Sequence, residues 1–366
     1  MSRIEDLIAE YCPDGVEYKR LGDVCKIKNG KDYKHLSAGD IPVYGSGGVM
    51  DVRVDTSVYD RPTVLLPRKG SIANVFYVDG PFWNVDTIFY TVIDEEQVIP
   101  RYLYHVMMNA HIENYSTGSA ARPSLTQSAL NKIEIPVPPL PVQEEIVRIL
   151  DSFSSLEAEL EAELEARRKQ YAYYRDQLIR DCPSIRWIPL SEISENCDKS
   201  RKPIKKEKRI AGKTPYYGAS GVVDYVDGFT HEGDYLLLSE DGANLLARSM
   251  PIAYQISGRN WINNHAHVLR IENANLRQLV EMYLNSISLE PYITKGAQPK
   301  LTKQRMETIA VPVPSEDDLS RIVEMLTKFY ALTTSLTDGL PAEIEARRKQ
   351  YEYYRDRLLS FDELAV

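Results

Sequence analysis

The 366 residues suffice for two ordinary domains plus some extended structure, and an apolar share of 43% with a mean hydropathy of -0.35 is typical of a soluble globular protein. No apolar run approaches the ~18 residues of a membrane span and the N-terminus is too polar for a signal peptide, so we expect a cytoplasmic protein. The net charge of -9 argues against a uniformly basic nucleic-acid binder, although the distribution of charge matters more than its sum.

The predicted elements, in chain order, begin with strand-like runs rich in β-branched residues and end with a long helix. Strands are expected at 61–67, 72–78 and 87–92, a helix at 100–109, and a helix with one apolar stripe at 143–178. The second half then predicts a strand at 235–238 and a helix at 276–286. A further helix is expected after Ser315, which forms a capping-box signature with Asp318.

The two halves of the chain repeat each other. Residues 163–178 read ELEARRKQYAYYRDQL and residues 343–358 read EIEARRKQYEYYRDRL, with thirteen of sixteen positions identical. Weaker matches pair 42–51 with 215–224, 82–86 with 260–264, and 135–138 with 311–314. The repeating unit is therefore a variable, strand-rich domain followed by a helix.

Two long helices with narrow apolar stripes are not expected to be stable alone in water. Packing against each other as an antiparallel coiled coil would bury both stripes, and the alternative is that each helix lies on its own domain. Pro341, within Asp338-Gly-Leu-Pro341, predicts a break or kink in the second helix, whereas the first contains no such breaker.

The sequence does not predict an active site. Gly212-Lys213-Thr214 lacks the glycine that a phosphate-binding loop needs at position 207, which is a glutamate. The four cysteines, Cys12, Cys25, Cys182 and Cys197, have no zinc-site spacing and are expected to be reduced thiols. His265 and His267 would share a strand face, so metal binding is conceivable, but a structural or DNA-contacting role fits them better.

Basic residues cluster at the same place in both halves, which favours phosphate binding, although a solvated loop would have the same composition. The candidate phosphate contacts of the first half are Lys26, Lys28, Lys31 and Lys34. Those of the second half are Lys199, Arg201, Lys202, Lys205 and Lys206, followed by Lys208, Arg209 and Lys213.

Three matching pairs of loops are candidates for reading bases, and each could instead be a turn with solvated charges. The glycine-rich turns carry Tyr44 with Ser46 and Tyr217 with Ser220. The second pair differs in charge, with Arg68 and Lys69 in one half and Glu240 and Asp241 in the other. Since Arg and Lys favour guanine and carboxylates accept from cytosine, this difference suggests different base preferences. The third pair carries Arg122 in the first half and Gln298 with Lys300 in the second, and His265 completes the DNA-contact candidates.

The whole pattern resembles the specificity subunits of type I restriction-modification enzymes. The motifs that carry the resemblance are the two RRKQYxYYRDxL helices, at Arg167 and Arg347, and Asp241-Gly-Ala-Asn244 with Asn263-Asn-His-Ala-His267. The resemblance implies an α+β protein with two mixed, strand-rich target-recognition domains in a pseudo-two-fold arrangement, joined by two long helices that form an antiparallel coiled coil. It divides the chain into domains at 1–141 and 182–314 and helical spacers at 142–181 and 315–366.

The resemblance also implies a function without catalysis in this chain. Each domain would read one half of a bipartite, asymmetric site in double-stranded DNA, and the helices would set the spacer. Two modification subunits holding S-adenosylmethionine would dock, and ATP-hydrolysing restriction subunits would join, so that this chain itself needs no cofactor and the ATP, Mg²⁺ and S-adenosylmethionine sit on partners. The docking candidates are Arg167, Arg168, Gln170, Tyr171, Tyr174, Arg347, Arg348, Gln350, Tyr351 and Tyr354. The alternatives are a non-DNA coiled-coil adaptor with two protein-binding domains and an enzyme with an unrecognised site.

Overall fold

The computed structural model describes residues 3–117, 123–294, 299–334 and 339–364, and the chain forms two compact units. The first unit comprises Met1–Ala162 with Ala342–Val366, and the second comprises Glu163–Pro341. The domain bounds expected from the sequence form four consecutive segments, whereas the first compact unit combines residues from both ends of the chain. The C-terminal helix belongs to the first unit, and the central helix contributes to both.

The first unit contains a strand-rich domain between helices. Its helices are α1 (Arg3–Tyr11), α2 (Leu21–Val24), α3 (Pro100–Asn109), α4 (Gln127–Leu130), the first part of α5 (Leu140–Asp181) and, from the C-terminus, α11 (Leu340–Leu358). Its strands are β1 (Tyr18–Arg20), β2 (Cys25–Asn29), β3 (Ala38–Gly45), β4 (Gly48–Val54), β5 (Thr63–Pro67), β6 (Phe76–Val78), β7 (Trp83–Asn84), β8 (Ile88–Ile93) and β9 (Glu134–Pro136).

The second unit repeats this order of elements. Its helices, besides the second part of α5, are α6 (Leu190–Ile193), α7 (Asn244–Ala247), α8 (Ala274–Leu284), α9 (Lys303–Glu307) and α10 (Glu316–Thr334). Its strands are β10 (Arg186–Pro189), β11 (Glu195–Asn196), β12 (Ala211–Gly218), β13 (Gly221–Val226), β14 (His231–Glu232), β15 (Tyr235–Ser239), β16 (Ala253–Ile256), β17 (Arg259–Ile262), β18 (Ala266–Arg270) and β19 (Ala310–Val313).

The sheets of the two units share one topology. The strand order β2-β8-β5-β6 of the first unit matches β11-β18-β15-β16 of the second, and β4-β3-β7 matches β13-β12-β17, to which β14 is added. In both units a hairpin strand, β3 or β12, also pairs in parallel with a short strand that carries a tryptophan. The weak sequence repeat between the halves is therefore a structural repeat.

The central strand of each larger sheet is buried along its whole length. Every residue of β5 and of β15 is buried, since these strands lie between two others in the sheet and both of their faces are covered. This burial explains their continuous apolar character, which lacks the alternation of a half-exposed strand. The strand predicted at 72–78 forms only at Phe76–Val78, because a turn closes where Asn74 N–H donates to Ser71 O.

Each unit contains an antiparallel pair of helices. In the first unit, Phe153 of α5 stacks on Tyr354 of α11 with ring centroids 5.4 Å apart, and Glu157 of α5 accepts from Arg348, 2.6 Å away. In the second, Tyr171 and Tyr174 of α5 pack against Tyr330 and Phe329 of α10 at 5.8 Å and 5.7 Å. In both pairs the residue numbers rise along one helix as they fall along the other.

The structure also decides the helix boundaries. The first long helix is unbroken, as predicted, from Leu140 to Asp181. At the start of α10, Ser315 Oγ accepts from Asp318 N–H at 3.4 Å, which confirms the predicted cap. The predicted break after α10 involves Asp338, which lies outside the described residues, and Pro341 is the second residue of α11, where proline is tolerated. None of the described helices combines the length and apolarity needed to cross a bilayer.

Candidate nucleic-acid interface

Loops from four parts of the chain meet in the first unit, and together they form the first loop cluster (45–48, 68–70, 85–87 and 123–125). Thr87 is the junction: its hydroxyl accepts from Ser46 N–H at 3.1 Å and its carbonyl accepts from Arg68 N–H at 2.9 Å. Arg68 O in turn accepts from Leu125 N–H at 2.8 Å. The backbone therefore fixes the loops, and the exposed side chains of Arg68 and Lys69 are carried on a rigid frame.

The second unit builds the same frame as the second loop cluster (218–221, 240–242, 263–265 and 299–301). Glu240 N–H donates to His265 O at 2.9 Å, and Glu240 O accepts from Leu301 N–H at 2.7 Å. The hairpin is tied to the next loop by Asn263 N–H and Tyr217 O at 3.1 Å, as Val85 and Tyr44 are in the first unit at 2.9 Å. Arg68 and Glu240 thus occupy equivalent positions, as the sequence alignment predicted.

The lysines of the basic segments have their side chains in solvent, and Lys31 and Lys202 are bonded through their backbone N–H groups to Asn84 O and Ile262 O, next to the loop clusters. Lys26 and Lys28 are exposed on β2 and alternate with buried residues, and Lys31 and Lys34 are exposed in the loop that follows. In the second unit the lysines at 199, 202, 205, 206, 208 and 213 are exposed, whereas Arg209 is half-buried over Tyr216 and paired with Asp224 at 2.9 Å.

Two tryptophans hold the basic loops, and they were not among the predicted site residues. Trp83 Nε1 donates to Lys31 O at 2.9 Å, and Trp261 Nε1 donates to Lys202 O at 2.7 Å. The repeat aligns both tryptophans, so their recurrence beside the basic segments was the available signal. Their indoles fix the backbone on which the exposed lysines stand.

The first loop cluster is predominantly cationic. Lys69 Nζ lies 2.7 Å from the Asp86 carboxylate, and this hydrogen bond holds the pKa of Asp86 below its usual value. Arg68 is exposed beside the Phe89 ring, 5.9 Å from its centroid. Its guanidinium has no carboxylate partner among the described residues and can contact a ligand.

Arg201 and Glu240 of the second unit are not exposed, in contrast to the sequence interpretation of Arg201 as a phosphate contact and Glu240 as a base contact. Their side chains are 15% and 10% exposed, and Arg201 donates to Glu240 and lies 3.2 Å from Asp198. Burial raises the pKa of Glu240, but hydrogen bonds from Arg201 and Lys300 outweigh it and hold that pKa below its usual value. The two charges neutralise each other inside the domain, whereas Lys300, 2.9 Å from Glu240, is 48% exposed.

The two histidines of the second cluster have different environments. His265 is exposed, immediately precedes β18, and pairs with Asp241 at 2.9 Å. His267 is buried, with Nδ1 at 2.7 Å from Asp198 and Nε2 at 2.8 Å from Leu301 O, to which it must donate because a carbonyl only accepts. Burial opposes the charge of Asp198, yet the bond from His267 keeps the pKa of Asp198 below its usual value. His267 is therefore part of the support beneath the loops.

In the glycine-rich turns, fewer of the candidate side chains are exposed to solvent than the sequence suggested. Tyr44 packs edge-on against Phe82 at 6.1 Å and Tyr217 stacks on Tyr254 at 5.9 Å, so both rings support the turns from below. Ser46 is 9% exposed, whereas Ser220 is exposed at the turn. Arg122 and Gln298 lie outside the described residues. No group of three metal-ligating side chains is present among the residues that the structure describes.

The repeated helical motif shows the same arrangement in both units. Arg167 donates to Gln170 at 2.8 Å and Arg347 to Gln350 at 3.0 Å, while Tyr171 and Tyr351 are half-buried in the helix pairs. Burial raises the pKa of Tyr171 to about 12. Arg168 is exposed, and Arg348 is paired with Glu157 and Glu161.

Two exposed tyrosines of this motif were missed in the sequence. Tyr173 and Tyr353 are 63% and 59% exposed, against 38% and 37% for Tyr174 and Tyr354, which they touch edge-on. Their spacing of four from Lys169 and Lys349 placed them on the polar face of the helix, and that was the available signal.

Comparison with known proteins identifies the family. The model of the type I restriction modification DNA specificity domain matches residues 13–166 and 187–346. The chain is 32% identical to the specificity subunit of type I restriction enzyme EcoR124I/EcoR124II of Escherichia coli, over 99% of this chain and 97% of that one. A Haemophilus influenzae protein assigned as a type I restriction enzyme specificity subunit is 37% identical, but over 49% of this chain and 47% of its own.

A solved structure supports the fold. The type I restriction-modification S subunit of M. genitalium has a TM-score of 0.60 at 18% identity and covers 94% of this chain and 95% of its own. Both strand-rich domains lie within the two family matches, and each match extends into the helical region that follows. The chain belongs to the family of type I restriction-modification DNA specificity proteins.

Proposed function

We propose that this specificity subunit reads a bipartite DNA site, with the first loop cluster reading one half and the second loop cluster the other. One observation carries the proposal: the two clusters share the same backbone hydrogen bonds but present different charges. The first offers Arg68 and Lys69, and the second offers Lys300, His265 and Asp241. One frame with two sets of base-contacting side chains fits an asymmetric site.

The exposed lysines supply the contacts to phosphate, which position the domains without reading sequence. Each neutralised phosphate lowers the slope of log K against log salt by about 0.9 in B-DNA. Since the chain has a net charge of -9, we expect tight binding only together with basic or clamping partner subunits.

The helices serve as spacer and docking surface in this proposal. A full-length antiparallel coiled coil of α5 with α10 and α11 would relate the two domains by an approximate two-fold axis and fix the number of unread base pairs. Two modification subunits would dock at the repeated motif, where exposed Tyr173 and Tyr353 are the best aromatic anchors. S-adenosylmethionine, ATP and Mg²⁺ belong to those partners and to restriction subunits.

The decisive experiment is to sequence methylated adenines in cells that express the chain with its modification subunit. We expect one bipartite motif with a fixed spacer, and Arg68→Ala should relax a single position in one half only. Unchanged methylation, or relaxation of both halves, would contradict the assignment of one cluster to one half-site. The alternative of a non-DNA adaptor is not supported by the family match.

A further inference from the structure

The chain's own C-terminal segment fills a site on the first unit. Val16 N–H donates to Asp362 O and Leu364 N–H donates to Val16 O, both at 2.9 Å. Tyr18 hydroxyl donates to Phe361 O at 3.0 Å, and Phe361 packs against the first core. The first unit thus binds an extended segment through one aromatic side chain and backbone hydrogen bonds.

The second unit has an equivalent site. Tyr18 pairs with Pro136 in the β1-β9 ladder and Trp187 pairs with Pro312 in the β10-β19 ladder, so Trp187 takes the place of Tyr18. Tyr18 is half-buried, whereas Trp187 is 53% exposed. Beside it lies a cavity of about 450 Å³, whose lining includes Ile179, Ile185, Tyr283, Ile287 and the exposed Arg180.

The chain topology explains why this site is open. In both units a helix leads directly into this strand, α1 into β1 and α5 into β10, and the first unit also contains α11 and the segment that follows it. The segment after α11 pairs with Val16, which lies just before β1, whereas no described residue forms the corresponding strand-like pairing with Ile185 before β10. Among the described residues, none occupies the cavity beside Trp187 as Phe361 occupies its site.

We propose that the cavity beside Trp187 is a docking site for an extended segment of a partner protein that carries an aromatic residue followed by carboxylates. The partner segment would resemble the chain's own Phe361-Asp-Glu-Leu364, which fills the equivalent site of the first unit. The aromatic side chain would enter the cavity and pack against the edge-to-face pair formed by Trp187 and Tyr283, whose ring centroids lie 5.5 Å apart. The carboxylates would face Arg180, which has no ion pair within the described part of the chain. Trp, Tyr and Arg, the residue types of Trp187, Tyr283 and Arg180, are enriched where partners bind tightly.

The probe is a fluorescein-labelled peptide, Leu-Ser-Phe-Asp-Glu-Leu, titrated with the full chain and followed by fluorescence anisotropy. We expect saturable binding that weakens at least tenfold in Trp187→Ala and with a peptide whose Phe is replaced by Ala, whereas Trp187→Phe should retain most of it. Tyr225→Ala, in the same unit and 57% exposed, is the matched control and should bind like wild type. The first site does not compete, because its tethered segment is present at an effective concentration on the order of millimolar.

Three results would overturn the proposal. One is the absence of saturable binding, and another is an equal loss in Trp187→Ala and Tyr225→Ala. The third is a concentration-dependent dimer of the wild-type chain in sedimentation equilibrium that Trp187→Ala abolishes, since a second copy would then be the occupant. Circular dichroism of Trp187→Ala and Trp187→Phe checks that each variant keeps its fold. The site stands independently of how the domains read DNA.

Discussion

The ion pair between Arg201 and Glu240 makes the strongest prediction about stability. Glu240→Gln keeps the size of the side chain but removes the charge that Arg201 and Lys300 share. Breaking a fully buried pair costs about 3–5 kcal/mol, and an exposed pair contributes about 0–1 kcal/mol. Arg201 is 15% exposed and still has Asp198 at 3.2 Å, so we expect a loss of roughly 2 kcal/mol, below the fully buried range.

Urea denaturation followed by the fluorescence of Trp261, in a background with Trp83 and Trp187 replaced by Phe, measures this loss in the second unit. The matched control is Glu195→Gln, which removes the exposed partner of Arg270, 3.5 Å away, and should change stability by less than about 0.5 kcal/mol. Equal losses in the two variants would refute the reasoning, because burial would then not set the magnitude. The double variant Arg201→Met with Glu240→Leu should recover most of the stability, since it leaves no charge unpaired in that pair.

The remaining predictions concern pH, positioning and spacing. The folded-state pKa values of Asp198 and Glu240 are lowered, so the stability that these groups contribute is present above their unfolded values and is lost as the pH falls below about 4.5. Acid titration by circular dichroism should therefore show a weaker dependence in Glu240→Gln. Trp261→Phe removes the donor to Lys202 O and should weaken DNA binding of the assembled complex several-fold through the half-site that the second unit contacts. Trp83→Phe removes the donor to Lys31 O and should weaken binding only through the half-site that the first unit contacts. Binding titrations on DNA altered in one half-site separate the two. Four residues inserted near Glu159 should lengthen the unread spacer without changing either half-site sequence, and a methylome with an unchanged spacer would contradict the proposed ruler.

Local patterns predicted most of the regular structure. The helix at 100–109 and the unbroken first long helix follow from apolar periodicity, and the strand at 235–238 follows from a continuous apolar run, because burial on one face or on both leaves a direct trace in the sequence. The shortened strand β6 was not predictable in this way. The predicted strand at 72–78 begins with β-branched and apolar residues. The side-chain amide of Asn74, however, donates to Ser46 O at 3.0 Å, and Ser46 belongs to a hairpin that is distant in the sequence.

The candidate site was predicted in position but not in detail. Charge and repetition located the basic segments and the loops at 68–69 and 240–241. Charge and repetition could not distinguish the exposed Arg68 from Arg201, which is largely buried in a network of ion pairs. Both are arginines with polar neighbours in the sequence. Burial of a charged side chain depends on partners far along the chain, here Glu240 and the carbonyl of Ala266.

The sequence by itself determined the repeat, the family resemblance and the amphipathic helices, since these depend on residue identity and spacing alone. Only the tertiary structure decided that the C-terminal helix completes the first unit and that Phe361 fills a site whose counterpart beside Trp187 is open. It also decided which charges face solvent. The physical reason is the same in each case: contacts between residues distant in the sequence are chosen by the free energy of packing the whole chain, which no local window of sequence contains.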